Sequence, residues 1–235
     1  MKKLFVVTSL LMVFMVVPMA MADQVQFVGG SGGYGPYQTG TGGEFTIQIL
    51  DHSLDYLLGD YVSETTKNVL GAPYLDNFQT FCVEKGETVN GWAVYDVALS
   101  QGSIYSDKPL TLGAAWLYNQ FLTGSLSGYD YSPRSNTEIQ ELQNTIWWLM
   151  GMVAEPSNQF TTLVKGNVSS PMSNNDNYYP VAVMNMWTNG HSGHYEDRKQ
   201  DVLVGTHPVP EPATMLLLGS GLIGLAGFAR KRFKK

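Results

Sequence analysis

The sequence predicts an α+β fold: a single mixed domain of β-sheet with two or three packed helices, together with a cleaved signal peptide and a C-terminal transmembrane helix. Three observations predict it. Phe45, Ile47 and Ile49 alternate with Thr46 and Gln48, the period-two pattern of a half-buried strand. Two later segments, Thr111 to Leu122 and about Thr137 to Met150, repeat their apolar residues at helical spacing. Both termini are apolar runs flanked by Lys or Arg, as export and anchoring segments are.

At the N-terminus, Lys2 and Lys3 precede the apolar stretch Leu4 to Val17, and Ala20-Met21-Ala22 supplies the small residues of a cleavage site. Residues 1–22 are therefore read as a signal peptide, with Asp23 the first mature residue. No cysteine follows the cut, which argues against lipoprotein processing. Residues 23–43 contain Gly29-Gly30-Ser31-Gly32-Gly33 and Gly42-Gly43, too much glycine for regular helix, and are expected to be a flexible lead or irregular loops. Residues 44–205 form the expected globular ectodomain, and residues 206–212 a linker. Residues 213–229 are apolar and long enough to cross a hydrocarbon core of about 30 Å, and the basic residues of 230–235 would stay on the cytoplasmic side.

Pro210-Glu211-Pro212, the glycine-containing apolar segment and the terminal Arg/Lys cluster, in that order, resemble the PEP-CTERM sorting signal of Gram-negative bacteria. That resemblance implies an exosortase-type sorting enzyme as a partner and a membrane-anchored precursor. It further implies export across the inner membrane to the cell surface or extracellular matrix.

Within the mature chain, further strands are expected at Phe78 to Glu84, Val181 to Trp187 and Asp201 to Val204. The first helix has Gly124 as a stop signal. The second is capped by Ser135 or Asn136 and carries Glu138 in its first turn, and Pro156 to Lys165 offers a third, shorter helix. Between Asp23 and Glu211, twenty acidic residues stand against seven basic ones, a net charge of about −13. Such a field repels nucleic acid, so no nucleic-acid partner is expected.

Chemistry concentrates on Cys82 and the second helix. A single cysteine forms no internal disulfide, so Cys82 is a buried thiol, an intermolecular crosslinker or a reactive group. On the helix, Ile139, Leu142, Ile146, Trp147 and Met150 make an apolar stripe that includes Gln143. A primary amide facing the core costs about 1 to 3 kcal/mol unless it is bonded, so either neighbouring backbone satisfies it or it reacts.

Phe81-Cys82-Val83-Glu84 on a strand and Gln143-Asn144-Thr145-Ile146-Trp147 on a helix together resemble the thioester domains of bacterial surface adhesins. Leu142 stands where that family commonly has Thr, and Thr145 where it commonly has Ala. The resemblance implies a Cys82 to Gln143 thioester that is captured by an amine-bearing partner. Trp147, Trp148, Trp116 and Tyr118 would form the enclosure that keeps water away. The alternative is a passive envelope or biofilm-matrix protein with an inert buried cysteine.

His191 and His194, followed by Glu196 and Asp197, match no zinc spacing and read as a solvated turn. Asn174-Asn175-Asp176-Asn177 lacks the ligand alternation of a calcium loop. Cys82 with His52, His191 or His194 makes a catalytic pair only on paper. No metal, no cofactor and no enzymatic activity are expected.

Overall fold

A computed structural model describes residues 22–206, where the strands assemble into one sheet and the helices pack against it. The expected transmembrane helix at 213–229, the basic tail, Pro210, Glu211, Pro212 and all of the signal peptide but Ala22 lie outside the described residues. No helix among the described residues is long and apolar enough to cross a membrane.

The strands are β1 (Asp23–Phe27), β2 (Phe45–Ile49), β3 (Asn77–Thr80), β4 (Val94–Ser100), β5 (Val181–Thr188) and β6 (Val202–Gly205). They form one sheet in the order β3-β2-β1-β4-β5-β6, with every neighbouring pair antiparallel. The two edges then meet. As the chain leaves β3, Leu203 N–H donates to Phe81 O at 3.0 Å and Val83 N–H donates to Asp201 O at 3.1 Å. Cys82 thereby bridges to Val202, and the sheet curls nearly into a barrel. Joining the edges removes the unpaired backbone groups that an open sheet presents.

Between β4 and β5 come the helices α1 (Leu112–Leu122), α2 (Asn136–Leu149) and α3 (Gln159–Asn167). Thr111 caps α1 by accepting from Ala114 N–H, and Gly124 follows it at a φ of 72°, a left-handed turn that glycine adopts without steric cost. Ser135 is the N-cap of α2 without a side-chain hydrogen bond. Asn158 caps α3 by accepting from Thr161 N–H.

Alternation along the strands sorts the core into two clusters. Phe81, Val83, Val181, Val183 and Leu203 face the helices, meeting Leu117, Phe121, Leu142, Ile146 and Phe160. Cys82, Ala182, Met184, Met186, Val202 and Val204 point the other way, to Phe27, Ile47, Phe78 and Trp147. Strand β5 is therefore buried on both faces, which is why Val181 to Trp187 reads as an apolar run. Phe121 anchors the helical side, edge-on to Phe81 at 5.0 Å and to Tyr129 at 5.2 Å, geometry worth about 0.5–1.5 kcal/mol per pair beyond buried area.

Two expectations need correction. Residues 23–43 are not a lead outside the domain: β1 lies in the middle of the sheet between β2 and β4, because Val25 and Phe27 are core residues. The strand expected at Phe78 to Glu84 ends at Thr80 as sheet and continues as the seam, since its pairing passes from β2 to β6. β4 was also missing from the sequence reading; its central residues Tyr95, Asp96 and Val97 are buried consecutively, so alternation does not mark it.

A buried ion pair ties the glycine-rich segment to the start of α2. Glu44 is fully buried, and its Oε1 lies 2.9 Å from Arg134 Nε. Tyr129 OH donates to Glu44 Oε2. Arg134 also donates to Tyr131 O and Thr65 O and lies over the Tyr37 ring at 4.2 Å. Burial raises the Glu44 carboxyl to about 7, while Arg134 and Tyr129 oppose that rise. Arg134→Ala is expected to destabilise the fold by about 3–5 kcal/mol, because it strands a buried carboxylate. Urea titration of the processed protein measures this, and the Glu44→Gln, Arg134→Ala double variant should recover part of the loss.

Candidate functional site

The seam sets the geometry of the site. Successive residues of an extended chain turn their backbone groups to opposite sides, so Phe81 and Val83 serve β6 while the N–H and C=O of Cys82 point away from it. Those two groups would be orphaned, and α2 satisfies them. Cys82 N–H donates to Gln143 Oε1 at 3.0 Å, and Gln143 Nε2 donates to Cys82 O at 2.9 Å. The Gln143 amide takes the place of a neighbouring strand. Its oxygen accepts a second bond, from Gly43 N–H at 3.0 Å. The core-facing amide expected from the helical stripe is thus bonded to backbone twice through its oxygen and once through its nitrogen.

Cys82 and Gln143 are both buried, at 2% exposure each. Burial, reinforced by the charge of Glu84, pushes the Cys82 thiol well above its ordinary range, so it is held protonated. The backbone N–H groups of Cys82 and Gly43 oppose that shift. They are the same two groups that converge on Gln143 Oε1, which places sulfur, amide oxygen and donors in one small region.

Glycine is required where the preceding loop crosses Gln143. A Cβ on Gly42 would stand 2.5 Å from Gln143 Cγ, and one on Gly43 would meet Thr80 O at 2.8 Å. The segment 39–42 is closed by a bridge between Thr39 and Gly42 and by Gln38 Nε2, which donates to Gly40 O at 2.9 Å and to Gly42 O at 3.1 Å. Across the helix rim, Gln140 Nε2 donates to Thr39 Oγ1 at 3.2 Å. This strap separates two clefts. One, of about 320 Å³, is lined by Cys82 with Tyr34, Phe45, Gln200 and Glu87; the other, of about 240 Å³, is lined by Gln143 with Gln140, Asn144 and Trp147.

Of the four aromatic residues expected around a thioester, Trp147 is at the site. It is buried in the same cluster as Cys82, and its Nε1 donates to Glu84 O at 3.0 Å. Tyr118 is buried in the helical cluster, where its hydroxyl donates to Gln79 O at 2.9 Å. Trp116 and Trp148 are half-buried against that same cluster, away from Cys82. The segment that crosses directly over Gln143 is instead the strap. Sequence reading missed Gly42 and Gly43, although a Gly-Gly pair abutting a strand is a signal of close backbone approach.

Leu142 and Thr145 both have structural roles in the helical layer. Leu142 is fully buried in the helical core. Thr145 donates to Glu141 O at 2.8 Å and to Asn158 Oδ1 at 3.0 Å, joining α2 to the cap of α3.

Beneath the seam lies a buried pair of acids. Glu84 is raised to about 7 by burial and then by the charge of Asp201; Asp201 is raised to about 6 by burial, against hydrogen bonds from Ile104 N–H and Asn185. His191 Nδ1 donates to Asp197 Oδ2 at 2.8 Å on an exposed turn, and no cluster of three metal-ligating residues occurs among the described residues. Asn175 is buried and bonds Tyr179 and Val181, so it staples its own loop.

Residues 208–232 match the PEP-CTERM protein-sorting motif, spanning Pro210-Glu211-Pro212, the apolar segment and the first basic residues. No curated protein and no solved structure matches the chain. The motif marks an exported protein processed by exosortase, with a membrane-anchored precursor sorted to the cell surface.

Two outcomes follow from this geometry. Gly42→Ala should cost about 1–3 kcal/mol in urea unfolding, since its methyl group overpacks against Gln143. Glu84 and Asp201 have folded-state values above their ordinary 4.5 and 3.8, so the stability they contribute is full below about pH 4 and is lost as pH rises through 6 to 7. Glu84→Gln should flatten that decline in unfolding midpoints taken across the interval.

Proposed function

We propose that this exosortase-sorted protein attaches covalently to an amine-bearing partner at the cell surface or in the extracellular matrix, through a thioester between Cys82 and Gln143. The observation that carries the reading is the convergence of the Cys82 and Gly43 N–H groups on Gln143 Oε1, each at 3.0 Å. Amide donors at this range stabilise the oxyanion of an acyl-transfer intermediate, and losing one such donor costs roughly 10² to 10³ in rate.

In the step itself, Cys82 Sγ attacks Gln143 Cδ and charge builds on Oε1 against the two donors. The Cδ–Nε2 bond then breaks, and ammonia leaves with the thiol proton. The product carbonyl has less resonance stabilisation than the amide. The strap, Trp147 and the core around Cys82 limit its contact with water. Reaction with a partner amine consumes the thioester once, so the role is attachment and not turnover.

A second reading rests on the three hydrogen bonds of the Gln143 amide and the raised thiol, which together describe a stable core. In it the protein is a passive structural component of the envelope or biofilm matrix, and Cys82 is inert.

Intact mass decides between them. The exported, processed protein is compared with its Cys82→Ser and Gln143→Glu variants, so that terminal processing cancels. The thioester predicts a wild-type mass one ammonia lower than the substitutions alone account for. Equal accounting, with a thiol that titrates on unfolding, leaves the passive reading.

A further inference from the structure

The two clefts divide the chemistry, and this deepening rests on the thioester reading. We infer that the attacking amine reaches the carbonyl through the smaller cleft, between the strap and α2, and that Gln140, Asn144 and Trp147 set what enters. The larger cleft serves the sulfur. The electrophilic carbon is Gln143 Cδ, and Gln143 lines the 240 Å³ cleft, whereas Cys82 lines the 320 Å³ one. Gly40 and Thr41 line both, so the strap is the wall between them. The Gly43 and Cys82 N–H groups hold Oε1 in place, and the open space beside Gln143 is the smaller cleft.

The entrance selects by size and charge. Its walls are Thr39, the glycine-rich strap, Gln140, Asn144 and Trp147, with no ionised side chain among them. The charged group facing these walls is Lys85, whose Nζ lies 5.2 Å from the centre of the Trp147 ring and repels a second cation, so the amine enters neutral and capture rises with pH along the amine's own titration. Gly42 lies directly on Gln143 and the Gln140 bond to Thr39 crosses the rim of the cleft. An amine branched at the α-carbon carries more bulk past that rim than an unbranched primary amine, so capture should favour the unbranched one. On attack, the amine nitrogen bonds to Cδ, the Cδ–Sγ bond breaks, and one amine proton passes to sulfur. Gln143 is left as a substituted amide and Cys82 as a free thiol facing the larger cleft.

The full exported chain tests this with methylamine and tert-butylamine as probes, uptake being read by mass. Asn144 and Thr88 are exposed, so Asn144→Phe narrows the smaller cleft and Thr88→Trp the larger one without entering the core. Expected are a retained ammonia deficit in both variants and methylamine uptake slowed by roughly tenfold or more in Asn144→Phe alone. Thr88→Trp should instead slow alkylation of Cys82 after aminolysis, and tert-butylamine should be taken up more slowly than methylamine by every form. Should Asn144→Phe lose the deficit, Gln140→Trp on the same rim replaces it. Wild-type uptake rates in the narrowed variant, or slow uptake in Thr88→Trp, overturn the route while leaving the thioester standing. A wild-type chain without the deficit overturns both.

Discussion

One side-chain amide closes this fold. Where the two edges of the sheet meet, the chain at Cys82 has no strand on its second side, and Gln143 supplies both the acceptor and the donor that a strand would have offered. Unpaired, those buried backbone groups would each cost about 1–3 kcal/mol. The position of α2, the crossing of the strap and the burial of Trp147 all follow from keeping that amide in place. In the proposed reaction, the group that completes the seam is also the one that the neighbouring thiol attacks.

Support for the contact comes from farther out. Arg134, just before α2, holds Glu44, just after Gly43, and stacks on Tyr37, just before the strap. One guanidinium therefore fixes both ends of the glycine-rich crossing relative to the helix that bears Gln143. Glycine gives the crossing its closeness and the buried ion pair restores the order that glycine lacks.

Much of this was legible in the sequence, for reasons that differ by element. Helices α1 and α2 announced themselves because each buries one face, and Gln143 stood out as a polar residue within an apolar stripe. Strand β2 showed clean alternation through Phe45, Ile47 and Ile49. β1 did not, because the glycine-dense stretch after it drew the whole segment into the expectation of a loop, although Val25 and Phe27 already alternate. The seam was hidden for a different reason: the passage of Phe81 to Val83 from one edge to the other is a property of the closed sheet, and no local pattern encodes it. The same holds for Trp116, Tyr118 and Trp148, whose aromatic character is visible in the sequence but whose side of the sheet is not.

The C-terminal direction of β6 has a mechanical consequence. The sorting motif begins three residues after Gly205, so tension on the precursor's membrane anchor enters the domain at this strand. β6 hands that load to β5 on one flank and to Phe81 and Val83 on the other. A cargo tethered at Gln143 would pull on the helix residue that grips the intervening Cys82. The shortest line of force between cargo and anchor would then run through a handful of residues at the seam, with β5 sharing the load on the other flank of β6.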